Sequence, residues 1–214
     1  MWVIPTLTPE FIERMEDVLD LYARPYDPRE PVLCFDEKSK ELRKDAMPAI
    51  LGRITRRDYE YVRNGAANVF VAVDPKAGYR TTHATKRRTK ADFAREIRRI
   101  STLPRYRKAV VIHMVLDNLN THKARSLMET FGTREAERIM RRVAFHHTPK
   151  HASWLNMAEI ELSILGRQAL NQRIPSRSAL RAHLRAWQSR RNRQHLKIKW
   201  RFTKQDARRI FKYD

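Results

Sequence analysis

Two kinds of apolar pattern alternate along this 214-residue chain, one with helical spacing and one unbroken. The first covers 8–23, "TPEFIERMEDVLDLYA", where Phe11, Ile12, Met15, Val18, Leu19 and Tyr22 recur behind a Thr cap and a first-turn Pro. It predicts an amphipathic helix, followed by an extended connector, "RPYDPREP". The second kind is the apolar run at 32–35, "VLCF", which ends at Asp36 as a strand buried on both faces would. It recurs at 110–116, "VVIHMVL", which stops at Asp117. Between these runs, "DYEYVRNGAANVFVAVDP" at 58–75 predicts two strands about a turn at Asn64 and Gly65, since both residues tolerate positive φ. Tyr59, Tyr61 and Phe70 alternate there and read as core or sheet surface.

Further helices are predicted over 89–101, with Phe93, Ile97 and Ile100 inward, and over 122–130, 134–141, 177–191 and 203–212. A short strand, "VAFHH", and a loop, "TPKHAS", precede one more helix, which carries Glu159 and Glu161. A three-strand meander followed by strands alternating with helices implies an α/β fold. Its mixed sheet would combine an antiparallel meander with parallel strands under helices on both faces. No internal repeat or low-complexity tract interrupts it.

Composition narrows the class. With 42% hydrophobic residues and four Trp, the chain can bury a full core, which favours one globular domain over two. A single cysteine, Cys34, excludes a disulfide framework and a cysteine-rich zinc module, and its apolar strand places it in the core. The opening "MWVIPTLTPE" lacks a basic region followed by a long apolar one, and later apolar runs fall short of a membrane span. A cytoplasmic protein without membrane contact is expected.

Charge points to the partner. Forty-five Lys and Arg against 24 Asp and Glu leave +21, a field that concentrates polyanions. The bases cluster at 86–99, 105–108 and 181–201, so nucleic acid is the leading partner, with Lys86, Arg87, Arg88, Arg190 and Arg191 as candidate phosphate contacts. The competing reading is a solvated basic surface, or one that meets RNA.

Asp36 and Asp117 each end an apolar strand, and open α/β sheets bind ligands at strand carboxyl ends. On parallel neighbours their charges would repel unless a cation lay between them, and magnesium suits such oxygen ligands. Two aspartates capping turns are the alternative. On a helical wheel at about 100° per residue, Asn156, Glu159, Ser163 and Gly166 share one polar notch, while Glu161 lies opposite among Met157, Ile164 and Leu165. Glu159 is therefore the candidate third ligand, and Glu161 is expected to pair with an arginine. Glu37 points away from Asp36 if the strand continues, as a salt-bridge partner would. Asn118, Asn120 and His122 follow the second aspartate, and Lys150, His151 and Trp154 precede the glutamate. These could position ligands, contact phosphate or stack on an unpaired base, or only structure loops. His147 and His151 flank Pro149 with no cysteine nearby, which argues against zinc.

Three blocks in order, "CFDEKS", "VLDNLNTH" and "TPKHASWLNMAEIEL", resemble the catalytic motifs of the IS630 group of transposases, within the IS630/Tc1/mariner superfamily. The likeness extends through "MEDVLDLYARPYDPREPV", "YEYVRNGAANVF", "SRSALRAHLRAWQSRRN" and "WRFTKQDAR". It implies an RNase H-like fold and a catalytic, metal-binding triad of Asp36, Asp117 and Glu159. It further implies two Mg2+ ions with Mn2+ able to substitute, cutting of transposon-end DNA, and strand transfer into TA sites. A homodimer on DNA and a bacterial, nucleoid-associated location follow from the same resemblance. Asp117 and Glu159 stand 42 residues apart, more than is usual in the Tc1 and mariner branches. Full-length members of the family carry an N-terminal helix-turn-helix domain; here 1–29 reads as helix and connector and 30–214 as catalytic domain with basic C-terminal helices. The expectation is the catalytic part alone. The alternatives are another RNase H-like nuclease, or a non-autonomous or inactive DNA-binding remnant.

Overall fold

A five-stranded mixed sheet organises residues 7–46 and 60–213, which the computed structural model describes. Its strands are β1 (Val32–Asp45), β2 (Tyr61–Asp74), β3 (Tyr79–Thr85), β4 (Ile112–Leu116) and β5 (Val143–His147), in the order β3-β2-β1-β4-β5. The first three form the antiparallel meander, and β4 and β5 continue the sheet parallel to β1. The helices are α1 (Pro9–Ala23), α2 (Lys90–Ser101), α3 (Ala124–Phe131), α4 (Thr133–Met140), α5 (Met157–Leu165), α6 (Arg177–Arg193) and α7 (Lys204–Phe211). None among the described residues is long and apolar enough to cross a membrane.

Period-two alternation divides the core between the sheet faces. Leu33, Phe35, Met114 and Leu116 pack with Phe93, Ile97 and Ile100 of α2 and with Leu127 and Ile139 of α3 and α4. On the opposite face, Val32, Cys34 and Val115 meet Met15 and Val18 of α1 and Met157 and Ala158 of α5. Beside them, Val69 and Val71 of β2 are covered by Leu162, Leu180, Leu184 and Trp187. Cys34 is a core residue, as expected, and burial pushes its thiol up to about 12. Tyr22 of α1 donates to the Leu155 carbonyl at 2.7 Å, which ties α1 to the turn that precedes α5.

Two predicted boundaries are corrected. β1 does not end at Asp36 but continues to Asp45 against β2. What ends near Asp36 is the parallel pairing with β4, whose last partners are Cys34 and Val115. The Asn64-Gly65 pair makes no turn either: it lies within β2, where Glu41↔Ala66 and Arg43↔Arg63 leave two residues facing Leu42 alone. This is a β-bulge, and it uses the same positive φ (+81° at Gly65) that a tight turn would use. The hairpin turn falls at 75–78, with Gly78 at φ +67°, and leads into β3, a strand the sequence pattern missed. Tyr59, with the start of the 58–75 segment, lies outside the described residues. Phe70 is core, whereas Tyr61 lies half-exposed beneath the Arg43 guanidinium.

Candidate active site

The β1–β4 register aligns the first two acids. Cys34 and Val115 are the last paired residues, so Asp36 and Asp117 each stand two residues beyond that pair, at the same end of the two parallel strands. Alternation along β1 turns Asp36 toward α5 and sends Glu37 to the other face, as expected, while Asp117 follows the last residue of β4. Asp36 is buried, and its Oδ1 accepts the Glu37 N–H at 2.8 Å.

The third acid arrives on a braced helix. Asn156 caps α5, its Oδ1 accepting the Ala158 N–H at 3.1 Å, while its Nδ2 donates to the Phe35 carbonyl at 2.9 Å. One side chain thus fixes the first turn of α5 against β1, directly before Asp36. Glu159 occupies that turn, where the helix dipole favours a carboxylate, and it is exposed. Asp36, Asp117 and Glu159 line one cleft of about 370 Å³ together with Glu37, Lys38 and Arg88.

Burial, then the Glu159, Asp117 and Glu37 carboxylates, push the Asp36 carboxyl up to about 7 despite the backbone N–H it accepts. Such mutual repulsion among hard oxygen donors is what a divalent cation relieves, so these residues fit a magnesium-type ion. Among the described residues, no three His, Cys, Asp or Glu side chains yet converge closely enough to hold an ion. Glu159 is the exposed member of the three, whereas Asp36 is buried.

His122 is not a DNA contact, contrary to expectation. Its ring is buried against Phe93 and Phe35, its Nδ1–H donates to Asp117, and its Nε2 lies 3.0 Å from the Glu37 carboxylate. Burial opposes its charge, but the two carboxylates outweigh burial and raise its pKa to about 9. Glu37 in turn has the Arg88 guanidinium 3.7 Å away, so a chain of charges runs from the basic 86–90 segment to Asp117.

One more expected DNA contact is corrected. Arg191 is buried, its Nε donating to Glu161 at 2.8 Å, and Arg80 Nε donates to the same oxygen at 2.9 Å. Glu161 is fully buried between them, the arginine pairing the helical wheel predicts. Trp154 is half-buried, stacked on Trp200 at 6.4 Å and edge-on to Phe202 at 5.4 Å. Lys86, Arg87, Arg88 and Arg190 are exposed, and Asn118, Lys150 and His151 share a recess of about 390 Å³ with the start of α1. His147 donates to the His122 carbonyl at 2.7 Å. The Asn156 brace escaped sequence reading, although a polar residue capping an apolar helix beside the motif acid was its visible signal.

This sheet order, with acids at the end of the β1–β4 pairing and on the helix that crosses them, is the RNase H-like α/β class. The family model described as DDE superfamily endonuclease matches residues 31–181, and the chain belongs to that family. Solved structures of the same fold include the Mos1 mariner paired-end complex with Mn, at 18% identity and a TM-score of 0.58, covering 92% of this chain and 60% of that one. The Mos1 paired-end complex with the left transposon end, at 16% and 0.57, covers 92% and 61%, and the Mos1 strand-transfer complex, also at 16% and 0.57, covers 92% and 59%. The chain thus spans about three-fifths of the solved transposase chains it matches. No curated protein sequence matches it.

Proposed function

We propose that this protein is the catalytic domain of an IS630-type transposase that cuts transposon-end DNA and joins it to target DNA at TA sites. The observation that carries the reading is the lining of one cleft by Asp36, Asp117 and Glu159, in the motif order of a DDE endonuclease. Residues 30–214 form the catalytic unit in this reading. The three carboxylates hold two Mg2+ ions, for which Mn2+ substitutes; the solved Mos1 complexes with Mn and with Mg support a divalent metal. When bound, such ions supply a nucleophilic water or 3′ hydroxyl and offset charge on the attacked phosphate.

The chain's own groups do the positioning. Asn156 sets Glu159 over β1, His122 with Glu37 behind it holds Asp117 in one rotamer, and Arg88 at the cleft edge meets a backbone phosphate. Exposed Lys86, Arg87 and Arg190, and the recess holding Asn118, Lys150 and His151, add phosphate contacts that position DNA without reading its sequence. Two ends must be joined together, so a homodimer on DNA is the working assembly.

The test is cleavage and strand transfer with end DNA and Mg2+ or Mn2+. Asp36→Asn, Asp117→Asn and Glu159→Gln should abolish both reactions in correctly folded protein. Retained strand transfer in Glu159→Gln would overturn the triad, and cutting without joining would favour a nuclease.

A further inference from the structure

We propose that the groove leaving the carboxylate cleft is a track for the DNA strand beside the cut bond, with Lys38 and Arg167 holding the adjacent phosphate. The inference rests on the DNA-cutting reading above.

Two rails form the groove. On β1, Asp36, Lys38 and Lys40 recur every second residue on the face of α5, a step of roughly 6.6 Å. On α5 and its continuation, Glu159, Ser163 and Arg167 recur every fourth residue, a step of about 6 Å. The rails therefore advance together, from acids at one end to cations at the other, in steps comparable with successive phosphates on one strand. The groove, of about 450 Å³, shares Lys38 and Ser163 with the carboxylate cleft.

The floor is built for an anion. After Leu165 the helix widens into a π turn over Gly166–Leu170, a feature frequent at functional sites. Lys40 Nζ secures its end by donating to the Leu170 and Gln172 carbonyls at 2.7 and 3.0 Å. The Lys38 side chain, by contrast, has no hydrogen bond or ion pair among the described residues, and Arg167 donates to Ser163 Oγ at 3.1 Å. A Cβ at Gly166 would lie 3.6 Å from Lys38 Nζ, so the ammonium rests over the one floor position without a side chain. Two cations flanking bare floor, continuous with the cleft, complement a chain carrying one negative charge per repeat.

Equilibrium binding of a labelled single strand, measured in EDTA over a salt series, tests the track. Each lost phosphate contact should lower the slope of log affinity against log salt by about 0.7. Lys38→Ala with Arg167→Ala should remove about twice that, while Lys38→Arg keeps it. Gly166→Ala should bind as the parent does, and Gly166→Glu, which sets a carboxylate between the two cations, should weaken binding. Arg141→Ala, in the turn before β5 and away from the strand carboxyl ends, controls for net charge. Equal thermal unfolding temperatures show that a variant is folded; one that is not is replaced by Lys38→Gln or Arg167→Gln. Unchanged slopes in the folded double variant, or parent-like binding by Gly166→Glu, overturn the track while leaving DNA cutting intact. A parent that binds no DNA at low salt overturns both readings.

Discussion

The Asn156 side chain spans from the first turn of α5 to β1, donating to the Phe35 carbonyl at 2.9 Å while accepting the Ala158 N–H at 3.1 Å. It thereby sets the distance between the helix bearing Glu159 and the strand bearing Asp36. Asn156→Ala should cost about 2 kcal/mol, from a lost cap and a carbonyl left without its donor. Asn156→Ser should restore the cap but not the brace. Urea unfolding will separate the two, and cleavage rates should stay low in both variants. A serine variant as active as the parent would mean that capping alone positions Glu159.

Asp36 makes the metal-free protein sensitive to pH. Its carboxyl, raised to about 7 in the fold from an ordinary value near 3.8, keeps a proton that the unfolded chain has released. Stability should therefore fall as pH rises from about 4 to about 7, with the full penalty of roughly 2–4 kcal/mol present above that window. Asp36→Asn should remove the decline and be more stable than the parent at pH 8. Denaturant midpoints in EDTA across this range check it. A parent curve that follows the Asn variant would show that Asp36 ionises without cost.

Most elements were legible because their apolar periodicity matches their burial: α1, α2, β4 and β5 fall where the pattern puts them. That Asp36, Asp117 and Glu159 would share one cleft was legible from strand ends and motif order, and the opposed faces of Glu159 and Glu161 from geometry alone. The failures share one cause, which is that local signals do not specify their partners. Asn64-Gly65 marks positive φ, but whether a turn or a bulge uses it depends on Leu42 across the sheet. The polar second half of β1 is held by the β2 ladder, which no composition signal in β1 reveals. Arg191 and His122 look like surface cations until Glu161, Glu37 and Asp117 are placed beside them.

The buried Glu37 carboxylate should matter to activity without touching the cleaved bond. It lies 3.0 Å from His122 Nε2, and His122 Nδ1 donates to Asp117, so removing its charge loosens the ring that orients Asp117. Glu37→Gln should lower the His122 pKa from about 9, visible in its NMR titration. It should also reduce cleavage or metal affinity by roughly 10- to 100-fold, the usual effect of losing an outer partner of a ligand. An unaltered His122 titration would show that Asp117 alone holds the ring charged.

Glu159 and Glu161, two residues apart, should separate activity from stability. Glu161 is fully buried between Arg80 and Arg191, and through them it clamps α6 and the turn at Gly78 onto the sheet, Arg80 Nη1 donating to the Gly78 carbonyl at 2.8 Å. Glu161→Gln leaves two buried guanidinium groups facing a neutral amide and should cost about 3–5 kcal/mol. Glu159 is exposed at the cleft edge, and Glu159→Gln should change stability by less than about 0.5 kcal/mol while abolishing cleavage. Urea unfolding of both variants, with cleavage assayed well below the Glu161→Gln midpoint, tests the division. Loss of cleavage in a fully folded Glu161→Gln protein would make the buried glutamate part of the catalytic machinery.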